Sequence, residues 1–168
     1  MPEKDTIFNS SIKSTGIFRF ADFYKFCYQW LAEELEMNMM ESKYKEKLVG
    51  DMKEMEIEWN GFRKLTDYFK FEIQVKFEIR QLKEVEITEA GKKIKTNSGE
   101  VKMAVKGTLV RDYQGKFEYS AWRKFIRGIY EKWIIPSRID QFETKIIEDS
   151  EEFLYQAKAF LDLEGQKK

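Results

Sequence analysis

Few residues in this sequence could perform catalysis by the common routes. Cys27 is the only cysteine and histidine is absent, so no imidazole is present to activate the thiol or to bind a metal ion. Cys27 also falls within the apolar arc of a predicted helix, where burial raises the pKa of a thiol. We therefore interpret Cys27 as a buried structural residue that forms no disulfide within the chain.

Carboxylates are abundant, but their spacing does not indicate an acid–base pair. Thirty acidic residues balance thirty basic ones, and over residues 70–80 charged and polar side chains take alternate positions, as on a solvated sheet face. The glycines lie singly, without the spacing of a phosphate-binding loop. We expect no catalytic residue, no cofactor and no metal ion. An enzyme that uses only Glu, Lys and Tyr is kept as a lesser alternative.

The spacing of apolar residues predicts an antiparallel sheet. Between Phe69 and Ile79 every odd position is apolar, which predicts a strand with one buried and one solvated face. Similar patterns predict strands over 52–59 and 101–113 and an edge strand within 6–16. Asn97-Ser98-Gly99 predicts the turn of a long hairpin, about residues 82–113, whose tip extends beyond the core.

Helical periodicity occurs near both ends of the chain. It predicts a helix over 20–35, with an apolar arc of about 160 to 200°, and two C-terminal helices over 122–133 and 139–163. In the last helix, Ser150 and Ala157 form a row of small residues that permits close packing. The sequence therefore predicts one α+β domain over 1–168, in the order β-α-β-β-β-β-α-α. Four to five long strands have one solvated face, and the three helices cover the other.

The helix over 122–133 has two interpretations. Its basic residues, such as Arg123 and Lys124, lie apart from Trp122 and Trp133, a pattern that also occurs in helices lying on membranes. We favour packing of its apolar side on the sheet, because the apolar face of the sheet must be covered. No segment is long and apolar enough to span a bilayer.

The excess of aromatic surface favours an interaction protein. We expect a non-enzymatic subunit of a homo- or hetero-oligomeric assembly, and the alternative is a carrier of a hydrophobic ligand or lipid. The zero net charge gives no reason to expect nucleic-acid binding. The charged first residues, without an apolar signal core, predict a cytoplasmic location. The candidate interaction surface combines residues of the first helix, the hairpin tip and the second helix: Phe18, Phe26, Trp30, Lys92, Lys93, Ile94, Lys95, Trp122 and Trp133.

Overall fold

A computed structural model describes residues 3–114, 121–129, 132 and 136–166. The strands are β1 (Glu3–Phe18), β2 (Asn38–Val49), β3 (Met52–Lys64), β4 (Phe69–Glu89) and β5 (Lys92–Arg111). The helices are α1 (Phe20–Gln29), which continues into a π-helical turn (Trp30–Glu34), then α2 (Ala121–Ile129) and α3 (Pro136–Gly165). The strands form one antiparallel sheet in the order β1-β5-β4-β3-β2. These elements confirm the predicted α+β class, antiparallel sheet and element order.

One face of the sheet is buried and the other is solvated, as the alternation in β4 predicts. The apolar side chains of β4 are buried: Phe71, Val75 and Phe77 are at most 2% exposed. The alternate residues Lys76 and Glu78 are exposed. On the solvated face, charged side chains pair across strands, as between Lys43 and Glu56, whose Nζ and Oε2 atoms lie 2.8 Å apart. The charged side chains of this face are therefore exposed to solvent in the isolated chain.

Helices α1 and α3 lie together on the buried face. The ring of Phe23 in α1 packs edge-on against Phe77 of β4, with ring centroids 6.0 Å apart. The ring of Phe26 stacks on Phe160 of α3 at 4.9 Å. Nearer the start of β4, Phe69 packs against Phe142 of α3 at 5.1 Å. Aromatic rings therefore occupy much of the space between the sheet and these two helices.

Helix α3 approaches β5 closely at Gly107. A Cβ atom placed on this glycine would lie 2.9 Å from Ile146 Cγ2 and 3.0 Å from Ser150 Oγ, both on α3. Ser150 and Ala157 are fully buried. The prediction that small residues of the last helix allow close packing is therefore confirmed. Opposite this glycine, the pairing of β1 with β5 shifts between Thr6 and Phe8.

The hairpin between β4 and β5 turns at Ala90 and Gly91, so the turn predicted at Asn97-Ser98-Gly99 is wrong. Ala90 and Gly91 both have positive φ, 52° and 78°, as a two-residue hairpin turn requires. Asn97 instead accepts a hydrogen bond from the Phe20 amide, 3.0 Å from Oδ1, at the start of α1. A Cβ on Gly99 would lie 3.0 Å from the Cα of Leu82, so this glycine permits close strand packing.

Strand β2 has no counterpart among the predicted strands. It is an edge strand in which almost every side chain is exposed, so its sequence lacks the alternation that reveals half-buried strands. Strand β3 continues to Lys64, after which the chain turns back into β4. Residues 65–68 make that turn, and the Thr66 side chain accepts hydrogen bonds from the amides of Tyr68 and Phe69.

Candidate interaction surfaces

The thiol of Cys27 and the hydroxyl of Tyr24 both have raised pKa values. Cys27 is fully buried, and burial raises the pKa of its thiol well above the ordinary value. At the border of α1 and β2, the Tyr24 hydroxyl donates a hydrogen bond of 2.7 Å to Glu41. Burial, and then this hydrogen bond, raise the pKa of Tyr24 to about 12, which makes it a weaker acid than a free tyrosine. This pair ties α1 to the edge strand.

The structure separates the residues of the candidate surface. Phe18 is 2% exposed, so it belongs to the core and its assignment to the surface is wrong. It lies in the last position of β1, where the strand meets α1, and its ring packs against Phe23. Phe26 and Trp30 are half-buried beside α3. Trp133 lies outside the described residues.

The four tip residues lie on a two-stranded ribbon, residues 85–89 and 92–96. These residues pair only with each other, because the pairing of β1 with β5 ends at Asn97 and that of β3 with β4 ends at Leu82. Five residue pairs extend the ribbon roughly 17 Å beyond the rest of the sheet. On the ribbon Lys92, Lys93 and Lys95 are exposed and Ile94 is half-buried.

A groove of about 400 Å³ lies at the base of this ribbon. The start of α1 forms one wall with Phe20, and the β2–β3 hairpin forms another with Leu48 and Asp51. Glu84 stands at the ribbon side, and buried Met55 and Leu82 also line the groove. Its volume falls within the usual range for ligand sites. Its charged lining residues are three acidic ones, Glu46, Asp51 and Glu84, and two lysines, Lys53 and Lys83, and Lys53 Nζ lies 2.8 Å from Glu46 Oε1.

Helix α2 exposes its apolar side, so the prediction that it packs on the sheet is wrong. The exposed apolar residues recur at helical spacing and form what we call the α2 stripe: Trp122, Phe125, Ile126 and Ile129. Trp122 is 67% exposed and Phe125 is 59% exposed, and their rings stack with centroids 5.9 Å apart. No residue of α2 is buried. The sequence shows the two sides of this helix, but not which side faces the sheet.

Arg127 fixes the orientation of α2. Its Nη2 lies 2.9 Å from Glu3 Oε1 in β1, and its Nη1 lies 3.5 Å from Oδ2 of Asp112, which is 2% exposed. At about 100° per residue, Arg127 is on the opposite side of the helix from Trp122 and Phe125. The basic side therefore faces the end of the sheet, and the α2 stripe faces outward.

The edge strand contributes an exposed apolar set that sequence reasoning missed. Met40, Tyr44, Leu48 and Val49 of β2 are each at least half exposed. Three lysines, Lys43, Lys45 and Lys47, alternate along the same strand, and such charges protect an open edge from pairing with other chains. The regular spacing of these lysines was the available signal for the edge strand.

Comparison with protein-family models finds no matching family, and a search of curated proteins finds no significant similarity to this chain. Within the described part of the chain, none of the helices is long and apolar enough to cross a membrane.

Proposed function

We propose that the protein is a non-enzymatic interaction protein, a subunit of an assembly in which copies of this chain contact one another through the ribbon and the groove. The projecting ribbon is the observation that carries this proposal. An isolated two-stranded hairpin is marginally stable in water, so a ribbon that extends past its sheet gains from contact with a neighbour.

Charge and shape favour a second copy as the neighbour. The ribbon tip presents Lys92 and Lys93, both exposed, while the groove is lined by three acidic residues and two lysines, which leaves it with one net negative charge. The tip of one copy can therefore enter the groove of another, with Lys92 and Lys93 close to the acidic residues of that groove. Each chain contributes this tip and this groove. Two copies related by a two-fold axis can therefore each place the tip in the groove of the other.

The alternative function, a carrier of a hydrophobic ligand, has less support. A carrier needs space between the sheet and the helices, and there the rings of Phe23, Phe77, Phe26 and Phe160 are in contact. Native mass spectrometry of the purified chain tests this directly. A bound lipid-sized mass on a monomer would favour the carrier over the assembly.

Shortening the ribbon tests the assembly. Replacing residues 86–95 with Asn-Gly closes the hairpin after the Val85–Thr96 pair, which has the same pairing geometry as Glu89–Lys92 at the natural turn. Asn97 and its hydrogen bond to α1 remain. We expect the natural chain to be oligomeric by light scattering at micromolar concentration, and the shortened chain to be monomeric with a similar melting temperature.

A charge-reversed tip provides a more conservative test. Lys92→Glu with Lys93→Glu should weaken the oligomer, whereas Lys92→Arg with Lys93→Arg, the matched control, should keep it because the charges are retained. A natural chain that is monomeric throughout, or a shortened chain that assembles as before, would contradict the proposal.

A further inference from the structure

We propose that the α2 stripe binds an anionic lipid surface. This inference concerns the end of the sheet opposite the ribbon and is independent of the assembly. An amphipathic helix on a soluble domain ordinarily turns its apolar side to the core. Helix α2 does the reverse, because Arg127 binds Glu3 and Asp112 and holds the basic side toward the sheet.

The charges of α2 fit an anionic surface. Residues 121–129 contain Arg123, Lys124 and Arg127 and no acidic residue. Arg123 and Lys124 are exposed. At about 100° per residue, Arg123 lies about 60° from Ile126 at the edge of the α2 stripe, whereas Lys124 lies on the far side of the helix, beside Arg127. With the apolar side chains in the outer part of a bilayer, the long side chain of Arg123 can extend toward lipid phosphates, and Lys124 adds positive charge on the same short helix.

The size of the α2 stripe favours a lipid surface over a second copy of the chain. Since a large aromatic side chain buries about 150 to 250 Å², the four stripe residues at their observed exposures offer roughly 400 Å². A stable protein interface needs about 800 Å² from each partner. A short interfacial helix, by contrast, binds through a few apolar side chains together with electrostatic attraction.

Sedimentation of the full chain with lipid vesicles tests the proposal. The probes are vesicles of phosphatidylcholine alone and vesicles that also contain phosphatidylserine. We expect binding to the phosphatidylserine vesicles to be at least about tenfold tighter and to weaken as salt is added. Trp122→Ala with Phe125→Ala should reduce binding by at least about tenfold. Arg123→Gln with Lys124→Gln should reduce binding to the anionic vesicles by roughly 25-fold, about fivefold for each charge.

A matched control comes from α3, where Tyr155 and Leu163 are 67% and 65% exposed, close to Trp122. Tyr155→Ala with Leu163→Ala removes similar apolar surface elsewhere and should leave vesicle binding unchanged. The chain with the shortened ribbon should also bind vesicles normally, which separates this proposal from the assembly.

Three outcomes would overturn the proposal. The natural chain could fail to bind either kind of vesicle, or Trp122→Ala with Phe125→Ala could bind as tightly as the natural chain. Alternatively, those two substitutions could convert an oligomer to a monomer in light scattering, which would show that a second copy covers the α2 stripe.

Discussion

The close approach of α3 to β5 leads to a quantitative prediction for Gly107→Ala. The added Cβ would lie 2.9 Å from Ile146 Cγ2, a distance at which something must shift, and 3.0 Å from Ser150 Oγ. Overpacking of this kind costs about 1 to 3 kcal/mol. Alanine loses less conformational freedom on folding than glycine, which stabilises a strand by about 0.5 to 1 kcal/mol. The packing cost is in general larger than this gain. From the middle of each range, we expect a net loss of about 1 kcal/mol in the free energy of unfolding.

Chemical denaturation followed by circular dichroism measures this loss, and a double-mutant cycle with Ser150→Ala identifies its cause. The Ser150 hydroxyl is buried and has no hydrogen-bond partner among the described residues, so Ser150→Ala alone should stabilise the fold by about 1 kcal/mol. It also removes one of the two close contacts. The double variant should therefore be more stable than the sum of the two single effects by at least about 0.5 kcal/mol.

Gly128→Ala is the control, because a Cβ at that position meets no atom within 4 Å. It should leave the unfolding midpoint unchanged or slightly raised. If Gly107→Ala were as stable as the natural chain, or if its effect were additive with that of Ser150→Ala, α3 would not pack against β5 at this glycine and the described arrangement of sheet and helix would be refuted.

Three further predictions concern the core and its border. Phe77→Ala should cost about 3 to 5 kcal/mol of unfolding free energy and Lys76→Ala less than about 0.5, both measured by denaturation; similar losses would place the charged sheet face inside an interface. The thiol of buried Cys27 should react with a disulfide reagent only after unfolding in guanidinium, and rapid reaction in the native protein would show that α1 opens. Alkaline absorbance titration should find one tyrosine ionising near pH 12 that Tyr24→Phe removes. Because the folded pKa is raised above 10.0, this group stabilises the fold below pH 10.0, and that contribution is lost as pH rises toward about 12. Glu41→Gln should lower this pKa only in part, since burial is the larger cause, and an unchanged titration would contradict the hydrogen bond.

The sequence predicts the elements whose side chains alternate between core and water. β4 is the clearest case, because each odd residue from Phe69 to Ile79 is buried. β2 could not be predicted in this way, because an edge strand with both faces exposed has no periodic apolar signal. The predicted order of elements is therefore correct, although no strand is predicted over Asn38–Val49 and the hairpin turn is predicted at the wrong residues.

Tertiary contacts determine the features that local sequence misassigns. Asn97 and Gly99 form a strong turn sequence, yet the structure uses Asn97 to bind the start of α1 and Gly99 to pack against Leu82. Likewise, periodicity defines two sides of α2, but the side facing the sheet depends on Asp112, a buried partner for Arg127 that only the fold supplies. The core was therefore more predictable than the exposed surfaces.

Strand β5 joins the two surfaces and also separates them. It runs without interruption from Lys92 at the ribbon turn to Arg111 beside α2, and its 20 residues have a contour length of roughly 65 Å. At physiological salt the Debye length is only about 8 Å, so charges bound at one end have little electrostatic effect at the other. The strand thus acts as a spacer. A lipid surface bound by α2 would neither attract nor repel the lysines of the ribbon, and these would stay accessible to a partner several nanometres away.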